Sequence, residues 1–237
     1  MDLEKDGYGI LEQALSESEC RAVIDDLEIA LSDMPNGSIK TSRGAFLGGR
    51  NLLTWWGGCS AIAMHTTVKT FATRLLGKNA GLVRALYFDK PPGSGWSLPM
   101  HRDTAIAVAG HCVPIAPFSK PTMKAGTPHV EATSQVLSGM LTLRLHLDPM
   151  LQDNGPLVVV PRSHRGDFKE TSALQKTIHC NIGDLFVMHP LLLHGSLAAS
   201  GDTRLHRRVI HLEFAPSHKL PGLYQWHHFL LISSKRY

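Results

Sequence analysis

His101 and Asp103 flank Arg102, and far downstream His194 closes the run Met188-His189-Pro190-Leu191-Leu192-Leu193-His194-Gly195-Ser196. In a β-strand alternate side chains share a face, so a strand through the first segment presents His101 and Asp103 together and turns Arg102 away. Two imidazoles and one carboxylate are the set that holds Fe(II) and leaves coordination positions open for an oxidant and a cosubstrate. With 14 histidines in the chain, a His-x-Asp pair alone decides little, and the surrounding pattern has to support it. A rival pair with the same spacing, His129 and Glu131, follows Lys124-Ala125-Gly126-Thr127-Pro128 without a strand pattern and reads as substrate contact or surface loop.

The elements that must position these groups are mostly strands. Leu141-Thr142-Leu143-Arg144-Leu145-His146-Leu147-Asp148 alternates apolar and polar residues, as a strand buried on one face does. Its other face, Thr142, Arg144 and His146, suits the lining of a wet cavity better than a core. Asp153-Asn154-Gly155 reads as a tight turn into a returning strand over residues 156–161. Asn181-Ile182-Gly183-Asp184 turns into a strand over 185–188 that leads to His194, and a late strand spans 207–214. Short strands with turns between them, and ligands far apart in sequence, predict a mainly β fold, a double-stranded β-helix (jelly roll, cupin-like) with flanking α-helices. Residues 6–14 form its opening strand, and Ser16-Glu17-Ser18-Glu19 is a capping box for a helix to Leu31 with Val23, Leu27, Ala30 and Leu31 facing inward. Residues 34–49 read as loop, and a second helix spans 60–76 before Gly77.

In order along the chain, Asp6-Gly7-Tyr8, Asp89-Lys90-Pro91-Pro92, His101-Arg102-Asp103, Asp153-Asn154-Gly155-Pro156-Leu157, Pro161-Arg162-Ser163-His164, Gly183-Asp184, His194-Gly195-Ser196 and Arg207 resemble the landmarks of the phytanoyl-CoA dioxygenase family of Fe(II)/2-oxoglutarate-dependent oxygenases. The resemblance covers essentially the whole chain and implies one catalytic domain over residues 1–237. It implies Fe(II) on His101, Asp103 and His194, 2-oxoglutarate chelating the iron through its keto acid end, and O2 as oxidant. The implied reaction hydroxylates an unactivated C–H bond of a small molecule while 2-oxoglutarate becomes succinate and CO2. The far carboxylate of 2-oxoglutarate needs a fixed cation, and the planar fork of arginine pairs both oxygens at once. The resemblance gives that task to Arg207, with the Ser196 hydroxyl on the same carboxylate. Two departures stand out. Arg162 replaces the usual glycine of Pro-Gly-Ser-His, and Arg207 fits only with a slightly longer hairpin at 198–203, which keeps Arg204 and Arg208 as alternatives.

Further residues have two readings each. Arg144 contacts cosubstrate or substrate, or forms a buried ion pair with Asp148 or Glu213. Tyr87 lies against the cosubstrate or in the core, and Arg50 touches substrate or ends a glycine loop. His146, His189 and His211 are expected to be hydrogen-bonded structural histidines. Residues 105–140, with Pro114, Pro117, Pro121, Gly126 and Pro128, are too long for a hairpin and read as a lid beside the metal, or else as a disordered insertion. Two other functions compete. A jelly-roll metal-dependent isomerase or hydrolase without 2-oxoglutarate leaves Arg207 without a task, and a scaffold that has lost catalysis should show damaged ligands. Asp103 itself argues against halogenating relatives, which carry a small residue there.

A chain of 237 residues with net charge +4 and no basic run carries no signal for nucleic acid, and the small positive excess favours an anionic substrate or cosubstrate. Cys20, Cys59, Cys112 and Cys180 lack metal spacing and read as reduced thiols. The N-terminus has no signal-peptide pattern and no apolar run is long enough for a membrane span, so a cytoplasmic enzyme is expected. The sequence carries no signal for oligomeric state.

Overall fold

The computed structural model describes residues 3–33, 38–40, 46–93, 96–110, 116–166 and 174–233. The chain runs through α1 (Leu3–Asp6), β1 (Tyr8–Leu11), α2 (Glu17–Asp33), β2 (Ser38–Lys40), β3 (Phe46–Gly49), α3 (Leu52–Trp55), α4 (Gly58–Met64), α5 (Thr66–Leu76) and β4 (Gly81–Lys90). It continues with β5 (Leu98–His101), β6 (Ala105–Ala107), β7 (Ser119–Lys124), β8 (Thr127–Glu131), α6 (Ser134–Ser138), β9 (Leu141–His146) and β10 (Leu157–Val159). A 3-10 turn (Ser163–Arg165), β11 (Lys176–Ile178), β12 (Leu185–Met188), β13 (His194–Ser196), β14 (Arg207–Ala215) and β15 (Leu230–Leu231) complete it.

Two antiparallel sheets make the jelly roll. The larger has the order β1-β12-β9-β14-β4-β3-β2 with β15 also on β4, and the smaller the order β11-β10-β13-β5. Alternation assigns each strand of the larger sheet a task on each face. Tyr87, Leu143, Leu145, Val187, Ile210 and Leu212 pack outward with Leu27 and Leu31 of α2 and with Val68, Phe71 and Ala72 of α5. Each leucine, isoleucine, valine or phenylalanine among them contributes about 1.5–3 kcal/mol when fully buried. The inner face is divided. Phe186 and Met188 of β12 meet Leu157, Val159 and Ile178 in an apolar patch, whereas β9, β14 and β4 line the remaining space with Arg144, His146, Arg207, His211, Glu213 and Lys90, all buried.

The capping box forms as the sequence predicts: the Ser16 Oγ accepts from the Glu19 amide at 3.3 Å, and Glu19 Oε2 accepts from the Ser16 amide at 2.7 Å. Arg162 adopts φ 70, the left-handed region in which glycine is unstrained, which accounts for the glycine usual at that position. Three expectations need correction. The helix over 60–76 is two helices, because His65 between them is extended at φ −54, ψ 134. Residues 34–49 include β2 and β3, and Gly48 and Gly49 pair with Phe88 and Tyr87. The described residues of 105–140 are not an unstructured loop: β6, β8 and β7 form a third sheet, and Ile106, Phe118, Val130 and Leu137 share a small core with Tyr224 and Trp226. Cys20, Cys59 and Cys180 are free and buried, and Cys112 lies outside the described residues. Among the described residues no helix is long and apolar enough to cross a membrane.

Candidate metal centre

His101 ends β5 and His194 opens β13, and the two are direct cross-strand partners. Their rings lie 4.4 Å apart, centroid to centroid. Asp103 follows two residues beyond the strand end, its amide donating to the Pro190 carbonyl at 2.9 Å, so the segment before His194 also fixes the carboxylate. His101 Nε2 and His194 Nε2 each stand 3.6 Å from an Asp103 oxygen, and the three donor atoms lie within 4.8 Å of one another. Each ring is oriented from behind. His101 Nδ1 donates to the Pro99 carbonyl at 2.8 Å and His194 Nδ1 to the Leu192 carbonyl at 2.9 Å, which leaves both Nε2 lone pairs facing the carboxylate.

The electrostatics suit a divalent cation. Burial alone would raise the Asp103 pKa, but His194, His101 and His211 around it hold the carboxyl well below its usual range. Burial lowers His194 to about 4, so its ring is neutral and able to coordinate. Asp103 Oδ2 is buried without a hydrogen-bond partner, and native structures seldom leave a carboxylate oxygen so. Two imidazoles whose Nε2 atoms face a carboxylate with an orphaned oxygen, with Asp103 raising the His101 pKa as a bound cation would not, are a donor set that fits Fe(II). The rival pair gathers no third donor among the described residues, and Glu131 is paired with Lys120 at 3.1 Å.

A second cluster lies at the other end of the inner face. Arg207 is 1% exposed, its Nε has no partner, and its Nη1 donates to the Met150 thioether at 3.9 Å. Lys90, its cross-strand partner, donates to Ser196 Oγ at 3.1 Å and to the Leu197 carbonyl. Arg144 and His146 project from β9 beside them, and neither the Arg144 Nε nor either nitrogen of His146 has a partner. Burial, then the charge of Arg144, lowers Arg207 to about 9. Burial, Arg207 and Arg144 together lower Lys90 to about 7. Arg208 points to the opposite face, where Asp148 binds it with two contacts of 2.8 and 2.9 Å, and Arg204 is exposed. Neither alternative faces the cavity. Arg144 therefore lacks both ion pairs weighed for it, since Asp148 holds Arg208 and Glu213 holds Arg84 at 2.7 Å.

Two expectations fail. Tyr87 pairs with Ile210 on the outward face and is buried in the helix-packed core, away from the cosubstrate site expected for it, because inner positions on β4 are the even-numbered ones from Leu86 to Lys90. His146 is buried but not hydrogen-bonded. His211 is hydrogen-bonded, as expected, to Glu213 Oε1 at 3.1 Å, and it also sits 3.9 Å from Asp103 Oδ2, next to the ligand carboxylate. His189 is structural, stacked on His164 with centroids 5.0 Å apart. Arg50 and His129 lie within electrostatic reach of Arg84, the partner of Glu213 at the end of β14 away from Arg207.

A model of the phytanoyl-CoA dioxygenase family matches residues 3–208. The chain belongs to the phytanoyl-CoA dioxygenase family. Its members are 2-oxoglutarate-dependent oxygenases, and this dioxygenase is one of them. No curated protein matches it. Among solved structures, apo EctD from S. alaskensis is similar at TM-score 0.70 and 16% identity, covering 98% of this chain and 84% of that one. The α-ketoglutarate-dependent carbocyclase SnoK from nogalamycin biosynthesis is similar at TM-score 0.66 and 15% identity, covering 90% and 81%. The epimerase SnoN in complex with Fe3+, α-ketoglutarate and nogalamycin RO is similar at TM-score 0.65 and 16% identity, covering 99% and 94%.

In this dioxygenase the sequence reading missed Lys90, Arg84 and the placement of His211 with Glu213. Strand parity signals His211 and Glu213, whereas Lys90 and Arg84 emerge only with the register. The inner-face parity set by Arg207 on β14 also selects His211 and Glu213, and the antiparallel register then selects Lys90 and Arg84 opposite Arg207 and Glu213.

Proposed function

We propose that this dioxygenase hydroxylates an unactivated C–H bond of a small-molecule substrate, coupled to conversion of 2-oxoglutarate to succinate and CO2. The observation that carries the reading is a line of partnerless buried polar atoms. It runs from Asp103 Oδ2 past His211 Nδ1, Arg144 Nε and both nitrogens of His146 to Arg207 Nε. Each buried polar atom left unpaired costs about 1–3 kcal/mol, so a row of them marks a place that a polar ligand or ordered water fills. A diacid that reaches the metal at one end and Arg207 at the other does so.

His101, Asp103 and His194 hold the iron, which supplies activation of O2 when bound. Arg207 pairs the far carboxylate, and Ser196, itself held by Lys90, offers it a hydroxyl. Arg144 and neutral His146 line the path between. Residues 105–140 act as the cover of the site within one catalytic domain, and the apolar patch around Phe186 and Leu157 keeps water from one flank. One oxygen atom of O2 enters succinate and the other the product alcohol, so electrons and atoms balance without another reductant. A metal-dependent isomerase or hydrolase that does not use 2-oxoglutarate leaves Arg207 buried with no counter-ion, and we set it aside on that ground. Epimerisation and ring closure, the activities named for SnoN and SnoK, are distinguished from hydroxylation by the product. The test is succinate formed from 2-oxoglutarate with added Fe(II), in wild type and His101→Ala. Iron-dependent turnover in wild type alone supports the reading, and none in either refutes it.

A further inference from the structure

Beyond the metal, on the side away from Arg207, a second group of cations converges. Arg84 and Glu213 face each other across β4 and β14, and Glu213 is saturated by Arg84 at 2.7 Å and His211 at 3.1 Å. Arg50 follows β3 at an inner-face position, because Gly48, two residues before it, pairs with Phe88 of the inner face. Lys124 ends β7 on the third sheet. Asn51, in the left-handed region at φ 55, fixes their proximity: its Nδ2 donates to the Ala125 carbonyl at 3.0 Å, seating the β7–β8 turn beside Arg50. Neither Arg50 nor Lys124 has an acidic partner among the described residues, and both are partly buried. Burial and then the charge of Arg84 lower both pKa values, and Lys124 also feels Arg50, Glu213 and Asp103.

Like charges held near one another and partly shielded from water, without an acidic partner, favour an anion that joins them. The cosubstrate cannot be that anion. Arg207 and Glu213 are six residues apart on one strand, about 20 Å of sheet, and His211 between them is the residue that approaches the Asp103 carboxylate, at 3.9 Å. We propose that Arg50 and Lys124 anchor an oxyanion, a carboxylate or phosphate, carried by the substrate, and so select anionic small molecules. This rests on the oxygenase reading of the metal centre. The anchor spans two elements, one on the larger sheet and one on the third sheet, so binding of the anion also ties the cover to the body of the protein.

The probes are benzoate and inorganic phosphate, titrated calorimetrically without oxygen into protein loaded with Fe(II) and saturating 2-oxoglutarate, which blocks the Arg207 site. Wild type is expected to bind at least one probe, and binding by one alone identifies which oxyanion the site takes. Arg50→Gln and Lys124→Met should each weaken that binding about tenfold or more, and Arg50→Lys should keep most of it. Raising ionic strength should weaken it further. If Arg50→Gln fails to fold, Lys124→Met carries the test. No probe binding by wild type, or equal binding by wild type and both charge-removing variants, overturns the proposal. Wild type that binds the probes through Arg50 and Lys124 yet forms no iron-dependent succinate refutes the oxygenase reading and leaves an oxyanion site standing.

Discussion

Arg207 and Arg208 are neighbours on β14 whose side chains point to opposite faces, so replacing each by methionine separates function from stability. Without 2-oxoglutarate, Arg207 is a buried cation beside Arg144 and Lys90, disfavoured enough that its pKa falls to about 9. Arg207→Met keeps the apolar stem and removes that strain, so the ligand-free protein should melt at the same temperature or higher. With 2-oxoglutarate the same variant lacks a charge-assisted carboxylate pair worth about 1.5–3 kcal/mol, and the KM for 2-oxoglutarate should rise roughly tenfold to more than a hundredfold. Arg208→Met has the reverse profile. It breaks two contacts with Asp148 and one with Glu28 at 3.1 Å, which should destabilise by about 1–3 kcal/mol and leave the KM for 2-oxoglutarate unchanged. Initial rates of succinate formation over a range of 2-oxoglutarate concentrations give the first quantity, and melting curves without 2-oxoglutarate give the second. An Arg207→Met enzyme whose KM stays within threefold of wild type, or an Arg208→Met enzyme that melts normally with a raised KM, refutes the assignment of the two faces.

Three further outcomes are expected. Lys90 in the folded protein titrates at about 7, below its ordinary 10.5, so the unfolded chain binds more protons between those values. Stability of the ligand-free protein should therefore gain a rising contribution from about pH 7 to 10.5 that Lys90→Met abolishes, as melts across that range would show. Gly195 lies between His194 and Ser196 with space for a Cβ occupied by the Leu98 carbonyl at 2.7 Å; Gly195→Ala should push β5 away and lower iron affinity about tenfold or more, measured by competition with a chelator. Arg102 turns away from the metal and donates to the carbonyls of Leu191 at 2.9 Å and of Ser163 and Gly166 at 3.2 Å. Arg102→Ala should weaken iron binding by a similar factor, and unchanged iron affinity would deny it a positioning role.

Much of the site was legible because its geometry is local or follows strand parity. His101 and Asp103 share a face through i, i+2 spacing, and the alternation at 141–146 exposes Thr142, Arg144 and His146 as a polar inner face in sequence alone. The choice among Arg204, Arg207 and Arg208 needed the register, since three arginines within five residues differ only in where they point. Tyr87 failed for the same reason: its residue type suits a pocket, but parity puts it in the helix-packed core. Lys90 was hidden because a lysine at a strand end is ordinarily solvated, and only the return of the chain at Gly155 and Leu197 buries it. Residues 105–140 misled through their prolines and glycines, which mark turns but do not forbid the edge strand β7, where Pro121 sits. The third sheet is held by long-range contacts with Tyr224 and Trp226, which no local pattern announces.

The division of β14 into a stabilising and a binding face has a consequence for the whole molecule. Ile210 and Leu212 on one face contribute burial, while Arg207 and His211 on the other carry buried polar atoms that the protein alone leaves without partners. Ligands that complete the inner face must therefore stabilise the fold as they bind. At a hundredfold excess over Kd a ligand specific for the folded state adds about 2.7 kcal/mol, which for a chain of this length raises Tm by roughly 5–10 °C. Fe(II) and 2-oxoglutarate together, without oxygen, should give such a rise. Removing the metal with a chelator should abolish most of the effect of 2-oxoglutarate, because the keto acid end then has no anchor. Arg207→Met should abolish it with the metal present. A full shift from 2-oxoglutarate in metal-free protein would mean that the diacid binds somewhere other than the line from Asp103 to Arg207.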